Sequence, residues 1–543
     1  MKTSKKMLSA LLATACIIGA AGCGGGGRGT SDGNTGGNDN SDGTTTTTTV
    51  AVTEDPNKDL IVDEDLGAVA ENYDYNEKNE AGAGENYKKG EAAGKIRLFM
   101  YYQPTDISPE KNILPLFAER FGGTYDADYK QAASSSSYLE ELNVLVLAND
   151  APDIIRMEWP MLPGYIIKNS FESIDGWIDF SDPIWDSIKS EADGWSYKGK
   201  HYYCPISYEA GVYGVGYNSR CIEELDMEDP MDLYDKNEWT WNVMEEMLKK
   251  WMSMGSDKLG LTPGSSTALM FATTTGVAPL QFTGNDIINN IKDPKIYRAM
   301  EFCERINRLG YVTGFISPES LDAWSGKLLF TVMPFDWTLD GQKAFFDNNL
   351  EGELRVVPLP RDPESDVYYY PISTYGYFIP TGAKNMQGAT AWLLAARIYK
   401  TDPEVIEQDR KEKMWTGGYF YDKCSNCGHV FESRYGEIGE VCPECDTPRK
   451  ERWHKVYTER QLQILEDTLN PEKFTFVRDC HRGFGTDIEN IFHDNYGQGY
   501  TTLFDTPFMT RTSVDTYKTY TQVVDESYEM LETLLDNYRE LLK

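Results

Sequence analysis

Apolar and polar residues follow one another along the chain in patterns that predict alternating strands and helices. Residues 95–102 alternate between the two types, which predicts a β-strand. Residues 112–121 and 138–147 carry apolar side chains at helical spacing. A second strand is expected within residues 149–155, after a turn that contains Pro152. Strand, helix and strand at these intervals predict a parallel α/β architecture.

The first apolar run, at residues 7–21, follows three lysines and is too short for a comfortable transmembrane helix. Small residues then precede Cys23, and a Gly-rich polar tract follows it. This arrangement resembles the lipobox of bacterial lipoproteins. The resemblance implies a signal peptide at 1–22, a lipid anchor (palmitate included) on Cys23, and an extracytoplasmic location on the cell membrane. The alternative is ordinary secretion, with Cys23 removed or free.

Residues 23–94 are rich in Gly, Asn, Asp, Ser, Thr and Ala. Such a segment cannot bury enough apolar surface to fold, so we expect a disordered tether. About 70 residues of random coil reach on the order of 45 Å. The tether would therefore hold a folded body away from the membrane surface.

Length and charge limit the class of protein. The chain has 543 residues, of which roughly 450 remain for the folded body, and this favours two or more lobes. The 52 Lys and Arg residues against 86 Asp and Glu give a net charge of −34. That charge argues against nucleic-acid partners and against membrane contact other than through the lipid anchor. Aromatic residues make up 13% of the chain, which suits a cleft that stacks on ligand rings.

Six segments carry a recognisable order along the chain: residues 139–155, 199–205, 214–218, 238–241, 327–337 and 379–385, with a helix after the last. In this order they resemble the extracellular solute-binding proteins of ABC importers, in the family that binds mainly carbohydrates. Together they cover about residues 95 to 400.

The resemblance implies an α/β fold of the two-lobed, periplasmic-binding-protein-like kind (type II), with hinge crossovers. A small metal-ribbon insertion, which does not belong to that family, is expected in addition. The first lobe would comprise residues 95–207 with about 379–420. The second would comprise residues 208–378 with about 454–543. Residues 421–453 would be the inserted ribbon.

That ribbon is predicted from two CxxC pairs, Cys424 with Cys427 and Cys442 with Cys445. A CxxC turn points two thiolates at one ion, and two such turns complete a tetrahedral four-sulphur site. The segment resembles a zinc ribbon or a rubredoxin-type module, so Zn²⁺ or iron is the expected ion and no organic cofactor is expected. Two disulfides are the alternative. We expect the other cysteines of the body to be buried free thiols: Cys204, Cys221, Cys303 and Cys480.

In the resembling family a solute is held between the two lobes, so candidate cleft residues lie at the ends of predicted segments. Sugars require flat apolar faces for stacking and carboxylates or amides for their hydroxyl groups. The residues of these types at those positions are Tyr101, Tyr102, Gln103, Glu158, Trp159, Tyr208, Glu209, Tyr213, Asp336, Trp337 and Tyr375.

The function implied is capture of a solute, most simply an oligosaccharide, and its delivery to ABC permease subunits, without enzymatic activity. Two alternatives remain open. An extracellular carbohydrate-active enzyme would use a pair of carboxylates, but with 86 acidic residues such pairs arise by chance. A lipid-anchored redox protein would use iron at the four cysteines and would leave most of the chain unexplained.

Overall fold

The structure of the chain is a computed structural model. It describes residues 92–105, 109–209, 213–264, 266–338, 341, 344–345, 348, 350–371, 374–403, 405–407, 410, 419–423, 426–427, 430–434, 441–447, 458–493, 501–508 and 518–543. The predicted signal peptide, Cys23 and Cys424 lie outside these residues.

The strands alternate with helices for most of the chain. In chain order the strands are β1 (Gly94–Ile96), β2 (Leu98–Phe99), β3 (Gly123–Tyr125), β4 (Ile154–Arg156), β5 (Tyr203–Tyr208), β6 (Tyr213–Asn218), β7 (Leu259–Thr262), β8 (Leu280–Phe282), β9 (Ile287–Asn289), β10 (Leu328–Pro334), β11 (Leu354–Pro358), β12 (Tyr368–Pro371), β13 (Thr374–Phe378), β14 (Tyr419–Lys423), β15 (Val430–Arg434) and β16 (Phe474–Val477).

The α-helices, in the same order, are α1 (Glu110–Phe121), α2 (Tyr138–Leu147), α3 (Gly164–Ile167), α4 (Lys189–Gly194), α5 (Ser219–Leu225), α6 (Pro230–Asp235), α7 (Trp241–Ser253), α8 (Thr267–Thr273), α9 (Pro294–Arg308), α10 (Leu321–Trp324), α11 (Met386–Thr401), α12 (Glu459–Thr468), α13 (Thr486–Phe492) and α14 (Tyr520–Leu542). Short 3₁₀ turns include Trp159–Met161, Phe335–Trp337 and His481–Phe484. None of the described helices combines the length and apolarity needed to cross a membrane.

The first sheet has the strand order β2-β4-β13-β5, and α1 and α11 pack together beside it. Strands β2 and β4 are parallel, and β13 runs antiparallel to both β4 and β5. The buried side chain of Asp153 connects three segments of this layer. Its carboxylate accepts hydrogen bonds from the backbone N–H groups of Arg97, Lys384 and Asn385 at 2.9–3.0 Å. One side chain thereby joins the start of β4 to the β2 region and to the turn before α11.

The second sheet has the order β11-β6-β10-β7. Strands β7 and β10 are parallel, and β6 runs antiparallel to β10 and β11. Its apolar layer includes α7, where Thr240 caps the helix by accepting the N–H of Val243. Trp239 and Trp241 are buried at the start of this helix.

Two connections pass between the sheets. β5 belongs to the first sheet and β6, which begins five residues after β5 ends, to the second. β13 belongs to the first sheet, and β12 before it pairs with β16 in a separate parallel ribbon. Just after β16, Arg478 donates to both carboxylate oxygens of buried Glu191 on α4. This ion pair connects the segment that follows β16 to α4.

Most predicted elements agree with the structure. The helix expected at 138–147 has those bounds, and the helix expected at 112–121 begins two residues earlier, at Glu110. The strand expected at 95–102 was wrong in its continuity, because it divides into β1 and β2 and ends at Phe99. Its first part pairs with β3 and its second with β4, so one straight strand cannot serve both partners.

Candidate functional site

Strand directions bring several predicted cleft residues to one edge of the first sheet. Strands β2, β4 and β5 run the same way, so their carboxyl ends lie together with the start of β13. The carboxyl edge of an open α/β sheet is the usual position of a ligand site. Tyr102, Glu158, Glu209 and Tyr375 meet at this edge around Arg156.

Arg156 is the centre of that group. Its guanidinium donates to the Tyr102 hydroxyl at 3.2 Å and to the Glu209 carboxylate at 3.4 Å. It also lies over the Tyr375 ring, 5.1 Å from the ring centre. Burial alone would lower the pKa of Arg156, but Tyr102, Glu209 and Glu110 outweigh it and raise the pKa. The group therefore stays positively charged at the sheet edge.

Glu158 and Tyr101 form a second pair on the same edge. The Tyr101 hydroxyl is hydrogen-bonded to the Glu158 carboxyl group. Burial raises the pKa of Glu158 above its usual value, against the opposing effect of Arg156. Trp159 follows directly in a 3₁₀ turn and is partly buried. This edge thus offers acceptors, donors and aromatic faces within a few residues.

Other predicted residues differ in exposure. Gln103 is exposed and donates to Gln131 at 2.5 Å. Tyr208 is partly buried, and its ring lies 4.7 Å from that of Phe476 on β16. Tyr375 is buried, and its hydroxyl donates to Glu110 at 2.7 Å. Tyr375 therefore supports the edge from beneath and presents no free hydroxyl to it.

The second sheet provides a matching edge. The start of β6 lies beside the ends of β10 and β11, because Tyr213 pairs with Pro334 and Gly214 with Pro358. The 3₁₀ turn Phe335–Trp337 follows β10 directly, so Asp336 and Trp337 belong to this edge by position. Trp337 is 37% exposed.

Two residues at the first edge were not predicted from the sequence. Arg156 ends a buried apolar strand, and a charge at that position could have indicated the site. Glu110 begins α1 and is fully buried, with its Oε1 accepting the hydroxyls of Tyr102, Tyr375 and Tyr377 at 2.7–3.2 Å. Nothing in the local sequence distinguishes Glu110 from an exposed acid in a first helical turn.

A separate candidate site consists of three cysteines, of which Cys427 lies between β14 and β15, and Cys442 and Cys445 follow β15. The sulphur atoms of Cys427, Cys442 and Cys445 lie within 4.8 Å of one another, close enough to share one metal ion. Cys427 and Cys442 are 3.8 Å apart, far beyond a disulfide bond of about 2.05 Å. Four sulphurs placed tetrahedrally at about 2.3 Å from zinc would stand roughly 3.8 Å apart.

The backbone after Cys445 has the shape of a metal-binding turn. Asp446 has φ of 55°, in the left-handed region, and its N–H donates to the Cys442 carbonyl at 2.9 Å. The Thr447 hydroxyl lies 3.0 Å from the Cys445 sulphur. The turn directs both thiols to one side, and a nearby hydroxyl can donate to a thiolate.

No protein-family model matches this chain, and no curated protein matches it. Solved structures do. The sugar-binding protein of Xanthomonas citri is 14% identical, with a TM-score of 0.55, over 82% of this chain and 98% of that one. The cyclic alpha-maltosyl-1,6-maltose binding protein of Arthrobacter globiformis is 11% identical, with a TM-score of 0.54, over 82% and 99%.

The galacto-N-biose-/lacto-N-biose I-binding protein of the ABC transporter from Bifidobacterium longum is 12% identical. Its TM-score is 0.53, over 82% of this chain and 97% of that one. At such low identity the likeness concerns the fold. This chain has the two-lobed α/β fold of type II periplasmic binding proteins, as its sequence predicted.

Proposed function

We propose that this protein captures a saccharide outside the cytoplasm and delivers it to the permease of an ABC importer. The observation that carries the proposal is the pair of sheet edges, each with polar and aromatic groups, joined by the short connection between β5 and β6. Proteins that share the fold are described as binding lacto-N-biose and cyclic alpha-maltosyl-1,6-maltose.

Each edge has groups suited to a sugar. Trp159 and Tyr101 on the first edge and Trp337 and Tyr213 on the second would stack on the apolar faces of sugar rings. Acceptors and donors would bind the hydroxyl groups, and hinge closure would bring the edges together. The residues proposed to contact or support the ligand are Tyr101, Tyr102, Gln103, Glu158, Trp159, Tyr208, Glu209, Tyr213, Asp336, Trp337 and Tyr375, to which the structure adds Arg156.

The test is a thermal-shift screen of residues 90–543 against mono- and oligosaccharides, with the sugar quantified before and after. A ligand at 100 times its Kd stabilises the folded state by about 2.7 kcal/mol. With about 2.1 cal/mol/K of unfolding entropy per residue over roughly 450 residues, that is a shift of about 3 °C. A shift without consumption supports binding, consumption indicates an enzyme, and no shift from any sugar contradicts saccharide capture.

We further propose that the chain is a lipoprotein, with residues 1–22 removed, Cys23 acylated and residues 23–94 acting as a tether. The support is the resemblance of residues 7–23 to a lipobox and the composition of the tract that follows. In a bacterial host, Cys23→Ser should move the protein from the membrane fraction to the soluble fraction. Mass spectrometry of the mature N-terminus should find diacylglycerol on Cys23, and an unmodified N-terminus contradicts the proposal.

For the cysteine cluster, we propose one Zn²⁺ held by Cys424, Cys427, Cys442 and Cys445, with a structural role. The support is the 3.8 Å sulphur spacing and the turn at Asp446. Metal analysis should find one zinc per chain, and Cys442→Ser should lose it while saccharide binding persists. Visible absorbance from iron–thiolate, or two disulfides by mass spectrometry, would each contradict the assignment to zinc.

A further inference from the structure

A buried carboxylate lies behind the first sheet edge and connects to it through tyrosine hydroxyls. Glu110 has no exposed surface, and its Oε1 accepts Tyr102 at 2.9 Å, Tyr375 at 2.7 Å and Tyr377 at 3.2 Å. The hydroxyls of Tyr375 and Tyr377 also contact each other. Three phenols from two separate segments therefore depend on one carboxylate oxygen.

Tyr102 connects Glu110 to Arg156 at the sheet edge. Its hydroxyl donates to Glu110 and so turns its own lone pairs outward, where Arg156 donates at 3.2 Å. The Arg156 guanidinium also lies over the ring of Tyr375, whose hydroxyl Glu110 holds as well. Glu110 therefore fixes both residues that contact Arg156 on its buried side, Tyr102 and Tyr375. On its other side, the Arg156 guanidinium donates to the Glu209 carboxylate at 3.4 Å.

A carboxylate such as that of Glu110 is energetically unfavourable in the protein core. Its second oxygen, Oε2, has no hydrogen-bond partner among the residues that the structure describes. Burying a carboxylate with an unsatisfied acceptor costs free energy that an apolar side chain would avoid. The carboxylate does, however, accept hydrogen bonds from three tyrosine hydroxyls beneath the sheet edge.

We propose that Glu110 is a positioning residue for ligand binding, which acts through Tyr102 and Tyr375 to fix the direction of the Arg156 guanidinium. The inference rests on the proposed function and names a residue that is fully buried behind the sheet edge. A fixed guanidinium binds a sugar hydroxyl without the entropy cost of ordering a long side chain on binding.

The test is a double-mutant cycle of Glu110→Gln and Tyr102→Phe, with lacto-N-biose and maltotetraose as probes in calorimetry. Each single variant should weaken binding by about tenfold, because each breaks the same charge-assisted link. The double variant should be weaker than either single variant by roughly twofold or less. Multiplied effects of the two changes would overturn the proposal.

Glu304→Gln is the matched control. Glu304 is a buried carboxylate far along the chain that accepts the backbone N–H of Tyr520 at 2.5 Å. It should lower thermal stability and leave affinity unchanged. If Glu110→Gln behaves the same way, Glu110 is merely structural and the proposal is wrong.

Crystal structures of the ligand-free wild type and Glu110→Gln provide a readout that needs no ligand. The variant should lose the Arg156–Tyr102 contact, and an unmoved Arg156 would overturn the proposal. A wild type that binds neither probe, together with a displaced Arg156 in the variant, would count against the saccharide assignment and leave the positioning role supported.

Discussion

The close backbone contact between Gly164 and Gly483 predicts that Gly164→Ala destabilises the protein, whereas helix propensity alone predicts that it stabilises the protein. Gly164 is the first residue of α3, and a Cβ added there would overlap the carbonyl oxygen of Gly483. The carbonyl belongs to the 3₁₀ turn His481–Phe484, which follows β16. No side-chain rotation can relieve such an overlap, because both partners are backbone.

Alanine favours a helix over glycine by about 1 kcal/mol, so local structure alone predicts that Gly164→Ala stabilises the protein. Overpacking costs about 1–3 kcal/mol, and a clash of Cβ with backbone belongs at the upper end. The expected net effect is a loss of about 2 kcal/mol in the free energy of unfolding. Over roughly 450 residues this lowers the melting temperature by about 2 °C.

The assay is urea denaturation followed by tryptophan fluorescence, with thermal melts in parallel. Gly314→Ala is the control, because a Cβ at Gly314 would meet no atom within 4 Å. It should be neutral or slightly stabilising. A Gly164→Ala variant as stable as the wild type would refute the reasoning, since the two backbones would then not be in contact.

Four further outcomes are expected. Asp153→Ala should cost about 3 kcal/mol in urea denaturation, because three backbone N–H groups lose their acceptor. Burial alone would raise the pKa of Asp175, but hydrogen bonds from His201 and Ser173 outweigh it and lower the pKa. Asp175 therefore adds stability above its unfolded pKa that is lost as pH falls through the folded pKa, and Asp175→Asn should flatten the acid side of the stability–pH curve. Burial raises the pKa of four thiols, so iodoacetamide at pH 8 should modify them only after denaturation, as mass spectrometry would show: Cys204, Cys221, Cys303 and Cys480. Asp446→Gly should remove about 1 kcal/mol of left-handed backbone strain and slow the loss of zinc to a chelator, and faster loss would contradict the turn geometry.

Part of the candidate site was accessible from local sequence. Residues that follow predicted strands, such as Glu158 and Tyr102, were singled out because a carboxyl strand end presents side chains to a crevice. Their contacts with Arg156 and Glu110 could not be predicted in this way, because these contacts join residues up to 54 positions apart in the sequence. Tyr375 has the residue type of a ligand contact, and only burial revealed that its hydroxyl is turned inward to Glu110.

The strand bounds also show which features can be predicted from local sequence and which depend on tertiary contacts. Alternation over residues 95–102 predicted one strand, since periodicity reports which side chains are buried and not which partner strand each segment meets. The division into β1 and β2 follows from pairing with β3 and β4, which is tertiary information.

The sequence by itself determined the α/β class, the order of the elements and the cysteine spacing, because periodicity, turn residues and CxxC pairs act over a few neighbouring residues. The tertiary structure alone decided which strand ends meet, that Glu110 lies under Arg156, and that Gly164 touches Gly483. Those relations depend on how distant segments pack, and a buried carboxylate or a close backbone contact has no local signature. The proposed site therefore combines residue types visible in the sequence with an electrostatic and steric frame that exists only in the folded chain.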